Sequence, residues 1–294
     1  MKIRILIILI LFIYFILIQG IDIYAFSSKE EYLWIEFGKC MREKDGSLTL
    51  PLELNYGRFP GAKQGLKGLD EVSVFYSLSE TDHNGKPVFY TARIQQDKQN
   101  YSVNINSSKQ NRFIVFAQAK KKQNKVTIRY LAKTSFFLFG HSFSKKKTTR
   151  IILSREINRQ LEIRIIPEFQ CWPQTGNSVK IIPVFKKGYL AEKAISLFDQ
   201  NMPQVEIMTN EKGECVYVPR EDKRLNQKGE TAFKQAVIVA EEDQGGIKHI
   251  SSYTLLLHRS RFKNYKFFMG IAIFLGTMAA VFLFVIAGRK RIKF

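Results

Sequence analysis

The residue types that most often carry catalysis are sparse in this chain and widely spaced. Its 294 residues include only four histidines and three cysteines, and no two histidines lie within five residues of each other. The paired-histidine motifs of zinc enzymes are therefore missing. The sequence also contains no nucleophile elbow, phosphate-binding loop or dinucleotide fingerprint. These observations predict a protein that is not an enzyme.

One short stretch could still hold a metal ion. Asp82 and His83 precede Asn84 and Gly85, a composition typical of a turn. Imidazole and carboxylate groups are ligands of divalent transition metals. We predict Asp82 and His83 as candidate metal ligands, and the alternative is an ordinary exposed hairpin turn.

The cysteines bear on the compartment rather than on catalysis. Cys40, Cys171 and Cys215 are too far apart to form a CxxC pair or a zinc motif. In an oxidising compartment three cysteines permit one disulfide and leave one thiol. We predict the pair Cys171 and Cys215, because both belong to the same predicted module. Plain burial of these thiols is the alternative.

Both ends of the chain carry membrane-targeting patterns. Residues 1–25 combine Lys2 and Arg4 with a 14-residue apolar run, which is typical of a cleaved signal peptide or of an uncleaved signal anchor. Residues 267–287 form 21 uncharged residues, long enough to cross a bilayer as a helix. We predict a single-pass protein of the inner or plasma membrane, with an exported body and a cytoplasmic tail at 288–294.

The chain is strongly basic, with a net charge of +20. Export makes a nucleic-acid partner unexpected, so two lysine clusters are predicted instead as solvated loops or as contacts for an anionic lipid surface. The residues of these clusters are Lys120, Lys121, Lys122, Lys145, Lys146 and Lys147.

The exported region alternates apolar and polar residues with a period of two. Val72, Val74 and Tyr76 share one face of a predicted strand, and Val126, Ile128 and Tyr130 share a face of another. Short strands of this kind recur along the chain with turn residues between them, which is typical of antiparallel sandwiches. We predict an all-β fold with two β-sandwich modules in tandem, at residues 26–150 and 151–260.

The second module has a recognisable order of strands and turns. A strand at 179–185 leads to a Gly-Tyr-Leu-Ala turn at 188–191, and a Thr-Asn-Glu-Lys-Gly turn at 209–213 leads to a further strand. This order resembles the prealbumin-like, carboxypeptidase-regulatory type of Ig-like sandwich. The resemblance implies a fold and does not by itself imply an activity.

The exported region as a whole is similar to the NikM-like family of exported proteins associated with nickel and cobalt uptake. The matching segments are YLWIE at 32–36, LNYGRFP at 54–60, LEIRIIP at 161–167, the two turns above and YTLLL at 253–257. The resemblance implies an accessory subunit of a membrane complex and a nickel or cobalt ion as ligand. Where the family has a Gly-His pair, this chain has Gly57-Arg58, and arginine has no lone pair to offer a metal.

Two hypotheses follow from the sequence. The first is a membrane-anchored exported binding or accessory subunit that works beside a membrane complex, with nickel or cobalt uptake as the implied context. The second is a structural adhesion or envelope-assembly protein that acts through protein–protein contacts of its β-sandwich modules. The two hypotheses differ in the side chains that they require. Metal uptake requires His, Asp or Glu side chains that converge on one ion.

Overall fold

We analysed a computed structural model that describes residues 31–44, 47–61, 63–81, 87–97, 100–107, 112–123, 125–137, 160–166, 176, 178–186, 188–199, 202–219, 233–258 and 272–278. Strands dominate these residues, so the predicted all-β class is confirmed. The signal segment, the cytoplasmic tail and most of the predicted anchor lie outside the described residues. Residues 272–278 of that anchor are helical. Within the described ranges no helix is both long and apolar enough to span a membrane.

The largest element is an eight-stranded sheet, here called the central sheet. Its strand order is β14-β13-β16-β17-β9-β8-β4-β5. The strands are β4 (Asp70–Thr81), β5 (Pro87–Ala92), β8 (Arg112–Gln123), β9 (Val126–Phe137), β13 (Ala194–Asp199), β14 (Met202–Met208), β16 (Phe233–Gln244) and β17 (Ile247–His258). Strands from both sides of residue 150 therefore belong to one sheet, and the two predicted modules share it.

The join between the two halves of the central sheet is its one parallel pairing among the described strands. β17 runs parallel to β9 from the pair Ile247–Thr127 to the pair Thr254–Thr134. All the other neighbours in this sheet are antiparallel. Each half is built from hairpins, which need only short turns, whereas the parallel join requires a long crossover connection.

A second, five-stranded sheet covers one face of the central sheet. Its members are β1 (Tyr32–Phe37), β2 (Met41–Arg42), β3 (Leu48–Gly57), β6 (Gln95–Asp97) and β7 (Asn100–Ser107). The core between the two sheets is aromatic, with Trp34 in contact with the rings of Tyr32 and Phe59. Strands of the second half also line this core, because Val237 and Val239 of β16 point into it.

A third, four-stranded sheet covers the opposite face. It contains β10 (Glu162–Ile166), β11 (Val179–Phe185), β12 (Gly188–Tyr189) and β15 (Cys215–Tyr217). The core between this sheet and the central sheet includes Ala236, Ile238 and Ala240 of β16. These residues alternate along the strand with Val237 and Val239, which belong to the first core. β16 is therefore buried on both faces, which explains why residues 236–240 are continuously apolar instead of alternating.

Two buried ion pairs lie on the face of the central sheet that the third sheet covers. Lys133 of β9 pairs with Glu162 of β10, and their side chains are 1% and 2% exposed. Lys234 of β16 pairs with Asp199 of β13 at 2.5 Å. A buried charge that loses its partner is strongly destabilising. The Lys133–Glu162 pair therefore ties the edge of the third sheet to the middle of the central sheet.

The first prediction concerns this tie. Lys133→Met leaves the Glu162 carboxylate buried and unpaired, so the free energy of unfolding should fall by about 3–5 kcal/mol. The double variant Lys133→Met with Glu162→Leu removes both charges and should recover much of that loss. Chemical denaturation of the purified full-length protein measures both effects.

The matched control is the half-exposed pair of Lys180 and Glu214, 2.9 Å apart. Lys180→Met should cost no more than about 1 kcal/mol, because water screens this pair. Equal costs for the two lysine variants would contradict the role of the buried pair.

Candidate functional site

A row of charged side chains crosses four strands of the central sheet. Lys120 of β8 is paired in register with Arg129 of β9, and Arg129 is paired with His249 of β17. His249 is in turn opposite Glu242 of β16. Register partners project from the same face of a sheet, so these four side chains lie side by side. The face is the one that carries Lys133 and the third sheet.

An open cleft of about 500 Å³ lies at the Lys120–Arg129 end of this row. It is lined by Glu71, Val72, Ser73, Gln118, Ala119, Lys120, Arg129 and Gln160. The walls come from β4, β8 and β9, and Gln160 reaches the cleft from the residues just before β10. The cleft therefore opens where the third sheet meets the first half of the central sheet.

Three buried polar atoms in this cleft lack a hydrogen-bond partner among the described residues. They are the donors Gln118 Nε2 and Arg129 Nε and the acceptor Gln160 Oε1. Leaving such an atom unsatisfied costs about 1–3 kcal/mol, and native proteins contain few of them. Three such atoms in one cleft mean that its wall has hydrogen-bonding capacity that the described residues do not use.

The two cations of the cleft differ in their partners. The Lys120 ammonium is paired with the Glu71 carboxylate at the rim. Arg129 forms no salt bridge with any carboxylate in the described part of the chain. The guanidinium fork of Arg129, half-buried on β9, therefore has donors without a charged partner among the described residues.

A local backbone irregularity places Glu71 at the rim. The pairing of β4 with β8 shifts register between Asp70 and Ser73, and Glu71 has a φ of 51° in the left-handed region. A bulge of this kind re-aims a side chain. The hydrogen bond and charge of Lys120 hold the pKa of the Glu71 carboxyl below its ordinary value, and Arg129 adds to the effect.

His249 continues the row on the buried side of Arg129. Its ring is 5% exposed and packs 4.8 Å from the Phe185 ring. Burial lowers the pKa of His249 below its ordinary 6.5, and the positive charges of Arg129 and Lys186 lower it further. The negative charges of Glu242 and Asp243 act in the opposite direction and offset only part of this effect. His249 is therefore neutral at pH 7, and its Nδ1 has no hydrogen-bond partner in the described structure.

The lysine cluster at 120–122 was predicted as a loop, and that prediction is wrong. All three residues lie in β8, because the β8–β9 hairpin extends to the pair Gln123–Val126. Lys121 points to the other face from Lys120, where its ammonium donates to Tyr56 Oη at 3.0 Å and lies 3.4 Å from Glu31. Of these three lysines Lys122 alone is classed as exposed, and Lys120 and Lys121 have protein partners.

The other predicted site residues are mostly outside the described residues. This applies to Asp82, His83, Cys171, Lys145, Lys146 and Lys147. Cys215 is buried, and burial raises the pKa of its thiol to about 11. Its pairing with Cys171 stays a prediction. No group of three metal-ligating side chains occurs in the part of the chain that the structure describes.

Sequence reasoning missed Arg129, Gln118 and Gln160. The available signal was in β9, where Arg129 and Lys133 lie on the same face of the strand, on either side of Leu131. Charges on the buried face of a strand indicate either an ion pair or a binding site. Lys133 forms an ion pair with Glu162, and Arg129 lines the cleft.

Comparisons with known proteins place the chain in no established family. No family model matches it, and no curated protein matches it.

The second prediction uses His249. Because its pKa is lower in the folded than in the unfolded protein, the unfolded state takes up the proton more readily, and stability falls as the pH falls through 6.5. The melting temperature of the wild type should drop more than that of His249→Gln between about pH 7.5 and about pH 5.5, where histidine titrates. Glu31 and Glu71, with pKa values below 4.5, do not contribute in this range. Identical pH profiles for the two proteins would contradict this assignment.

Proposed function

We propose that this protein is a membrane-anchored exported binding subunit, and not an enzyme, that works beside a membrane complex. Its β body would be a tandem of Ig-like, prealbumin-like sandwiches joined through the central sheet. The helix would hold this body at the inner or plasma membrane, with a short cytoplasmic tail. The observation that carries the binding role is the cleft beside Arg129, with its three unsatisfied buried polar atoms.

The membrane attachment is supported by the side chains of residues 272–278. Ile273, Phe274, Leu275 and Met278 are each more than half exposed. Contiguous exposed apolar side chains mark surfaces that belong in contact with lipid or protein. The surrounding 267–287 segment contains no charged residue. Attachment would keep the cleft at high effective concentration near a membrane partner.

Nickel or cobalt uptake is the context that we propose from the resemblance in sequence. Asp82 and His83 would hold the ion, and further ligands would have to come from the partner complex or from the undescribed part of the chain. In this version of the proposal the cleft contacts the partner, and the metal site is separate from it.

A second candidate function is envelope assembly or adhesion through a sheet edge. β14 is at the end of the central sheet and pairs only with β13 among the described strands. Its side chains Val205 and Met208 are 42% and 57% exposed. An edge strand with exposed apolar residues can add a strand from another protein.

The third prediction tests export. Cys40 is exposed whereas Cys215 is buried, so a membrane-impermeant maleimide should label Cys40 in intact cells, or in spheroplasts where an outer membrane intervenes. Cys40→Ser should lose that part of the label and provides the control. Labelling of Cys40 only after lysis would contradict an exported body.

The fourth prediction tests the binding role. Full-length protein purified in mild detergent should co-purify with subunits of a membrane complex, and Arg129→Met should reduce their recovery about tenfold, as expected for loss of a charge-assisted contact. Arg93→Met is the matched control, because Arg93 is exposed and does not line the cleft.

Unchanged recovery in Arg129→Met would contradict the role of the cleft. Loss of recovered envelope proteins in Val205→Lys, but not in Arg129→Met, would favour the assembly function instead. Nickel or cobalt in the purified complex would support the uptake context, and its absence from a complete complex would argue against it.

A further inference from the structure

We infer that the cleft beside Arg129 is a binding site for a carboxylate group. This inference deepens the proposed function and rests on it, because it names the chemistry of the ligand or partner group that the cleft takes.

The charge of the cleft fits a single negative charge. Among its lining residues Lys120 and Arg129 are cationic and Glu71 is anionic, which leaves one positive charge in excess. Glu71 neutralises Lys120 at the rim, so the excess is centred on Arg129. A dianion such as phosphate would leave one negative charge uncompensated and would face the Glu71 carboxylate. A monoanion balances the cleft.

The donors of the cleft fit a planar acceptor. A guanidinium presents its N–H groups in one plane, and this fork matches the two oxygens of a carboxylate. Arg129 Nε is one unsatisfied donor, and Gln118 Nε2 is a second from the neighbouring strand. Both atoms are buried as they stand, and both side chains line the cleft, so each would turn toward a ligand when it binds. Two donors from neighbouring strands can each bind one oxygen of the same carboxylate.

The acceptor in the cleft suggests what the carboxylate is attached to. Gln160 Oε1 is buried and lacks a hydrogen-bond donor. A ligand that also carries an N–H or O–H group would supply that donor. A volume of about 500 Å³ lies within the range of small-molecule sites. An N-acylated amino acid, or the carboxyl end of a peptide, has a carboxylate and an amide N–H at suitable separation.

His249 lies next to the site without adding charge. It is beside Arg129 in register, and its ring packs against Phe185. Burial lowers the pKa of His249, so this neighbour is neutral and preserves the single excess charge of the cleft.

The fifth prediction tests the ligand class directly on full-length protein in detergent. The probes are N-acetylglycine, glutarate and a capped tripeptide with a free C-terminal carboxylate, each compared with its amide counterpart, and inorganic phosphate. Saturation-transfer NMR and titration calorimetry measure binding. The carboxylates should bind at least about tenfold more tightly than the matched amides, the gain expected for a bidentate ion pair.

Three variants test the site, and each has a different expected effect on carboxylate binding. Arg129→Met should abolish the preference for carboxylates, and Arg93→Met should leave it unchanged. Glu71→Gln should tighten carboxylate binding about threefold, because it removes the competing anion and frees Lys120. A merely structural role of Glu71 would not produce a gain in affinity.

The outcomes separate this inference from the proposed function. Equal binding of carboxylates and amides, tighter binding of phosphate, or no binding of any carboxylate probe would overturn the carboxylate assignment. The binding role would still stand in those cases if Arg129→Met lost its co-purifying subunits. Carboxylate binding that depends on Arg129, together with unchanged subunit recovery, would support a small-acid site and overturn the partner-docking role.

Discussion

Eight residue pairs between the parallel strands β9 and β17 hold the two halves of the protein in one sheet. Most of the other features depend on this pairing. It puts Arg129 beside His249 and Lys133 beside Tyr253, and it thereby joins the two halves of the charged row that runs across four strands. Without it the two halves would be separate hairpin sheets, and the cleft would lose the wall from which Gln160 reaches it.

The join also explains why the middle of the central sheet is buried on both faces. β16 and β17 lie between the five-stranded and the four-stranded sheets, and Ser252 of β17 donates a hydrogen bond to the Leu33 carbonyl across the first of these interfaces. Charged residues in such a layer require partners. Lys133 and Lys234 have them, whereas Arg129, at the open end of the same face, has no carboxylate partner among the described residues.

The proposed binding role combines two surfaces in the described part of the chain. One is polar and concave, with three buried atoms that lack a hydrogen-bond partner. The other is the apolar helical segment at 272–278, whose large side chains are more than half exposed. A protein that is attached by the second surface and binds with the first would concentrate a ligand or partner beside the membrane. Attachment and recognition are then carried by separate parts of the chain.

The sequence alone determined the β class and the positions of many strands. Alternation at 72–78, 101–105 and 126–130 predicted β4, β7 and β9, because the period of side-chain burial in a strand is local. It also contained the membrane-targeting patterns, which are compositional. The tertiary structure decided which strands pair: the parallel join and the placement of Lys120–Lys122 within a hairpin follow from contacts between distant segments. The cleft is also a feature that only the tertiary structure decided. Gln118, Arg129 and Gln160 are separated along the chain, and only sheet register and the approach of β10 bring their polar atoms together.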